Sequence, residues 1–226
     1  MVQRQIILDT ETTGLEPSEG HRIIEVAAVE LINRRFTGNY FHQYINPQRK
    51  VEEGALNVHG ISEQFLSDKP KFAEIAKPLM DYIDGSELII HNAPFDVGFL
   101  DNEFKLTGEA FRKITECCNV VDTLVLARQL HPGQKNSLDA LCKRYQVDNS
   151  RRDWHGALID AELLGWVYLA MTGGQISLFG TMTEEGFETS EKGRVSRTLI
   201  RQKGTIPIIR ATIEELAEHE KYMEGL

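Results

Sequence analysis

Two carboxylates close a short apolar run near the start of the chain. Gln5 to Asp9 reads QIILD, the pattern of a central β-strand whose last residue leaves the packed interior to reach a site. Glu11 follows after Thr10, and alternate residues of a strand point to one face. Asp9 and Glu11 therefore converge while Thr10 turns away, and their spacing suits a metal ion.

Two further extended segments follow, Ile23 to Ile32 and Phe36 to Ile45, rich in β-branched and aromatic residues. Asn33-Arg34-Arg35 between them suits a hairpin turn, which gives an antiparallel three-stranded start. From Phe72 to Ile83 apolar residues recur at helical spacing, and Gly85 follows as a stop. Glu87 to His91 reads as a strand. Asn92-Ala93-Pro94 then offers a capping residue and an early proline for a helix that carries Phe95, Asp96, Phe99 and Phe104. More helices are expected over Val120 to Leu130, Ser137 to Tyr145 and Ala157 to Met171, the last ending at Thr172-Gly173-Gly174.

The chain has 226 residues, 41% hydrophobic and 26% charged, which is ordinary globular composition and gives one domain plus an appendage. No apolar run is long enough to span a bilayer, and the N-terminus reads straight into a strand, so no membrane association and a cytoplasmic location are expected. The three cysteines, Cys117, Cys118 and Cys142, are odd in number and lack metal-ligand spacing; buried thiols in a reducing compartment are expected. A net charge of -9 argues against gripping duplex nucleic acid by broad phosphate neutralisation, so any contact with nucleic acid must be local. The basic residues Lys143, Arg144, Arg151 and Arg152 before His155 could supply such a local contact, and the reading preferred for them is a solvated loop.

Two more acids complete a set: Asp96 in the first turn of its helix and Asp160 in the long helix after His155. Each alone has a structural alternative, complementing a helix N-terminus or ending a strand in solvent. Unit charges about 4 Å apart repel by roughly 4 kcal/mol at an effective dielectric of about 20, so converged carboxylates need cations or protons. Oxygen ligands with open positions favour Mg²⁺ or Mn²⁺, and two such ions can drive phosphodiester hydrolysis. His155 precedes Asp160 by five residues, a rotation of roughly 140° on a regular helix, so the two cannot share a helix face. His155 is therefore placed in the loop before the helix, where an imidazole suits a general base. His21, His42, His91, His131 and His219 are read as structural.

Three segments, DTETTG (Asp9 to Gly14), HNAPFDVGFL (His91 to Leu100) and HGALIDA (His155 to Ala161), resemble the three motifs of the DEDDh family of 3′-to-5′ exonucleases in order and spacing. Over most of its length, including LNVHGI (Leu56 to Ile61) and NSLDALC (Asn136 to Cys142), the chain is similar to the proofreading members of that family in bacterial replicative polymerases. The resemblance implies an α/β, RNase H-like fold with a mixed five-stranded sheet flanked by helices. It implies that Asp9, Glu11, Asp96 and Asp160 form the metal site, with Asp96 acting through water. Two Mg²⁺ or Mn²⁺ ions per site, His155 as general base, and substrate contacts from Asp9, Glu11, His59 and Asp160 follow from it. Relatives carry an acid where Gly54 stands; Glu53 is the candidate to replace it. Phe95 and Phe99 could stack on or wedge terminal bases, but at helical spacing the core reading is preferred.

Residues 1–174 are expected to form the exonuclease domain and 175–226 a docking tail. Gln175-Ile176-Ser177-Leu178-Phe179 resembles a sliding-clamp-binding motif, with Gln175, Leu178 and Phe179 as its contacts. An acidic stretch from Glu184 to Gly193, an apolar-basic segment, and a helix with Thr212 and Glu215 as capping box follow. By resemblance the tail binds the catalytic (alpha) subunit of the polymerase, a small theta-like accessory subunit is a further partner, and the substrate is a single-stranded DNA 3′ end. Two alternatives stand beside this: an RNA 3′ exonuclease with the same motifs, and a non-catalytic scaffold bridging clamp and polymerase.

Overall fold

A two-residue turn sets how the sheet begins. Asn33 and Arg34 both have positive φ, 49° and 64°, the combination that type I′ hairpins require and that matches the twist of the strands they join. The computed structural model describes residues 4–150, 152 and 154–173. Strand β1 (Arg4–Thr12) pairs antiparallel with β2 (Ile23–Ile32), and β2 with β3 (Arg35–Tyr44), as the sequence predicts. On its other side β1 pairs parallel with β4 (Glu87–Ile90), which pairs parallel with β5 (Asn119–Asp122). The order is β3-β2-β1-β4-β5, a mixed five-stranded sheet with β1 at its centre.

Helices α1 (Glu53–His59), α2 (Glu63–Leu66) and α3 (Phe72–Ile83) lie between β3 and β4; α4 (Ala93–Leu106) and α5 (Ile114–Cys117) lie between β4 and β5. Helices α6 (Thr123–Leu130), α7 (Leu138–Tyr145) and α8 (Ala157–Thr172) follow. The two-residue period of β1 divides the interior. Ile6 and Leu8 pack with Phe72, Leu79, Phe99 and Phe104 of α3 and α4, whereas Ile7 packs with Leu141, Ala161 and Leu164 of α7 and α8. At Gly165 an added Cβ would stand 2.6 Å from Phe36 Cζ and 3.3 Å from Ile7 Cγ1, so α8 lies against the sheet at a distance only glycine allows. Glu103, buried in α4, accepts two hydrogen bonds from the Arg22 guanidinium at 2.8 Å each, which fixes α4 against the start of β2.

Two local expectations need correction. The segment from Val120 does not begin a helix: Asn119–Asp122 extends the parallel sheet, and the helix starts at Thr123, where Asp122 accepts from the amides of Leu124 and Val125. The β-branched pair Val120-Val121 had mimicked one turn of an apolar helix face. Asn92 does not cap α4 with its side chain; it adopts φ 68°, and its backbone N–H donates to Asp122. The short helices α1, α2 and α5, four to seven residues each, lack the length that makes a helical period visible. The expectations placed on Gln175–Phe179, on the acidic stretch, on His219 and on the final helix lie outside the described residues. No helix of the described residues is long and apolar enough to cross a membrane.

Candidate active site

The β1 alternation that sorts the core also sorts the acids. Asp9 and Glu11 follow Ile7 onto the α8 side, and Thr10 follows Ile6 and Leu8 onto the α4 side. There Thr10 Oγ1 donates to Asp96 Oδ1 at 2.7 Å, holding a buried carboxylate in the first turn of α4. Asp160, in the first turn of α8, is buried on the opposite side. The centre therefore straddles the end of the sheet, with Asp9, Thr10, Glu11, Asp96, His155 and Asp160 all lining one cavity of about 650 Å³.

His155 sits two residues before α8, as the rotation argument requires, and its backbone N–H donates to Val58 O at 3.2 Å. Its Nδ1 is 3.3 Å from Asp160 Oδ2. Glu11, His155 and Asp160 each present a ligand atom, all within 4.8 Å of one another. Burial, then the charges of Asp96, Glu11 and Asp160, hold the Asp9 carboxyl well above its usual range. Burial and the neighbouring Asp160, Glu25 and Asp96 push Glu11 up to about 8, against the pull of Arg152. Asp96 is pushed up to about 7 by burial, against the Thr10 hydrogen bond. Hard oxygen donors whose ionisation is opposed in this way fit divalent cations, which relieve the repulsion by neutralising it.

Two residues to which the sequence reading gave no part in the site build this arrangement. Arg152, assigned to a solvated loop, is instead buried against the acids: Nε is 2.5 Å from Asp160 Oδ1, Nη2 is 2.6 Å from Asp160 Oδ2 and 2.7 Å from His155 Nδ1, and Nη1 bonds Asp139. Glu25 is buried in β2 directly across from Glu11. Its Oε2 accepts from the Ala157 amide at 3.1 Å and its Oε1 is 2.7 Å from His42 Nε2. Gly156 offers α8 no side-chain cap, so Glu25 does that work from another strand, with the sign the helix dipole favours. A lone acid within the apolar run IIEVAAV was its signal in the sequence.

A second cavity of about 390 Å³ adjoins the first, lined by Glu11, Leu15, Gly54, Ala55, Val58 and His59; Thr10, Glu11 and Phe95 line both. His59 ends α1, is buried, and accepts from the Ile61 amide through Nδ1 at 3.0 Å, while its Nε2 has no hydrogen-bond partner among the described residues. Burial holds its pKa below the usual imidazole value. Phe99 is core, as expected, and half-buried Phe95 packs against the same cluster while also lining both cavities. Glu53 is exposed and lines neither; Glu52 lines the second, its Oε1 3.2 Å from His21 Nε2. His21, His42, His91 and His131 have structural partners in Thr13, Glu25, Thr123 and Tyr145. The three cysteines are buried and unpaired by disulfides.

Residues 6–168 match the exonuclease family. The chain is 51% identical to DNA polymerase III subunit epsilon of Escherichia coli (strain K12) over 227 residues, covering 99% of this chain and 93% of the relative. It is 48% identical to the subunit of that name from Rickettsia felis over 223 residues, covering 99% and 96%. The chain belongs to the exonuclease family, in its DNA polymerase III epsilon branch. Among solved structures, Exonuclease X in complex with 5′ overhanging duplex DNA superposes with a TM-score of 0.58 at 27% identity, covering 75% of this chain and 91% of that one. Exonuclease I shares the fold, with a TM-score of 0.62 at 18% identity over 76% of this chain and 42% of the other. The family's hydrolysis depends on divalent metal, and in this chain Glu11, Asp160 and His155 bring potential ligand atoms together in one place.

Proposed function

We propose that this chain is a 3′-to-5′ exodeoxyribonuclease that removes terminal nucleotides from single-stranded or frayed DNA as the proofreading subunit of DNA polymerase III. The convergence of Glu11, Asp160 and His155, with Asp9 and Asp96 in the same cavity, carries the reading. Asp9, Glu11 and Asp160 would hold divalent cations directly, and Asp96 would act at the same site through water. Two Mg²⁺ or Mn²⁺ ions, when bound there, would supply activation of the attacking water and neutralisation of charge at the leaving oxygen. His155, exposed at the cavity mouth, takes the proton of the attacking water. His59 meets the terminal nucleotide in the second cavity, where its neutral ring exchanges a hydrogen bond without adding charge.

A mispaired terminus frays at little cost and delivers its last nucleotide to a narrow site, which gives preference for errors without base-specific contacts. Gln175, Leu178 and Phe179 bind the sliding clamp, the remaining tail binds the alpha subunit, and a theta-like subunit is a further partner; the protein works in the cytoplasm. The test is a 3′-mismatched DNA primer incubated with protein and Mg²⁺, with and without EDTA, beside an RNA of the same sequence. Faster removal of the mismatched than the matched terminus, abolished by EDTA, is expected. Hydrolysis that survives EDTA, or that favours RNA, refutes the assignment.

A further inference from the structure

Arg152 is held by two carboxylates of different kind. Asp160 is a cation ligand in the proposed site, and Arg152 takes both of its oxygens, through Nε at 2.5 Å and Nη2 at 2.6 Å. Asp139, on α7, bonds Nη1 and is exposed, and it belongs to no group of converging ligand atoms among the described residues. A fork that grips both oxygens of a carboxylate takes one lone pair on each and sets a positive charge against them, so it opposes a divalent ion at the same carboxylate. The same guanidinium also bonds His155 Nδ1 at 2.7 Å, so one side chain engages both a cation ligand and the general base.

Divalent ions and the guanidinium are like charges in a confined, partly buried space, so binding of the ions drives Arg152 off Asp160. Asp139 retains it by its other edge, within a side chain's reach of the cavity it lines. The anion that then remains for the freed Nε and Nη2 is the phosphate of the nucleotide being removed, whose planar pairs of oxygens a guanidinium matches.

The geometry points to Arg152 as a tethered cation that competes with divalent metal for Asp160 and, once displaced, binds the phosphate of the terminal nucleotide. This deepens the proposed function and rests on its assignment of Asp160 as a cation ligand. Arg152 thus couples the two bindings: the site closes on its own guanidinium when metal is scarce, and offers that guanidinium to DNA when metal is abundant.

The coupling has opposite signs for its two ligands, which a structural role would not produce. Mn²⁺ binding to the full chain is measured by calorimetry without nucleic acid, and thymidine 5′-monophosphate binding is measured at saturating Mn²⁺. Arg152→Met is expected to tighten Mn²⁺ binding at least about tenfold and to weaken thymidine 5′-monophosphate binding at least about tenfold. Arg152→Lys keeps a charge but cannot grip two oxygens in a plane, so it is expected to tighten Mn²⁺ binding while retaining part of the nucleotide affinity. Mn²⁺ affinity that stays the same or falls in both variants, or nucleotide affinity unchanged in Arg152→Met, overturns the inference alone, provided the wild type binds Mn²⁺ and hydrolyses DNA. A wild type that binds no Mn²⁺ overturns the site assignment beneath it.

Discussion

Replacing Glu11 by Gln is expected to disable the enzyme and to stabilise its metal-stripped form. The Glu11 carboxyl is pushed from 4.5 to about 8 by burial and by Asp160, Glu25 and Asp96. In the unfolded chain it ionises near its ordinary value, while in the folded chain it keeps its proton until about pH 8. Across that window the unfolded state releases a proton the folded state holds, so stability drains as pH rises; below it the group contributes nothing, and above it the loss is complete. At about 1.4 kcal/mol per pH unit the full loss is about 5 kcal/mol, and solvent screening of a partly exposed carboxylate reduces this to about 2 kcal/mol. Thermal unfolding in EDTA is therefore expected to show Glu11→Gln and wild type alike at pH 4.5. At pH 8.5 the variant is higher by roughly 4–8 °C, at about 2–4 °C per kcal/mol for a chain of this size. Mn²⁺ reverses the order by stabilising the wild type more. A gap that does not change with pH, or a variant less stable throughout, refutes the account.

Asp9→Ala and His155→Ala are each expected to cut turnover at least about a hundredfold with an unchanged circular dichroism spectrum; wild-type-like rates in either remove that residue from the mechanism. Gly14→Ala would bring a Cβ within 2.3 Å of the buried His21 ring, and about 1–3 kcal/mol of stability is expected to be lost in urea unfolding. Glu25→Ala leaves the Ala157 amide and His42 without their partner; about 1–3 kcal/mol is expected to be lost, with kcat lowered more than KM is raised, since α8 carries Asp160. Removal of the residues after Phe179 is expected to leave hydrolysis nearly unchanged and abolish co-elution with the polymerase alpha subunit, and retained co-elution would contradict the tail assignment.

Legibility followed the range of the physics. Ile23–Ile32 and Phe72–Ile83 were readable to the residue because their patterns repeat over ten or more positions and both ends carry turn residues. The hairpin at Asn33-Arg34 was readable because positive φ is a local demand. Strand β5 was not, because four residues beside a helix start carry no period of their own, and only β4 beside them makes a strand the better state. The acids and His155 stood out through spacing and motif order. Arg152 and Glu25 did not, because their meaning lies in partners 8 and 132 residues away, and a basic loop or a single acid in a strand looks the same until those partners are placed.

The centre draws on both cores at once, since Asp96 arrives from the α4 side through Thr10 and Asp160 from the α8 side. Its members are separated by up to about 150 positions, so no early, local piece of the folding chain can assemble it. Asp9 and Glu11 leave the ribosome long before Asp160 is synthesised. A nascent or half-collapsed copy therefore has no means of cutting, and a cell that makes a DNA-degrading protein beside its own chromosome is spared the unfinished ones.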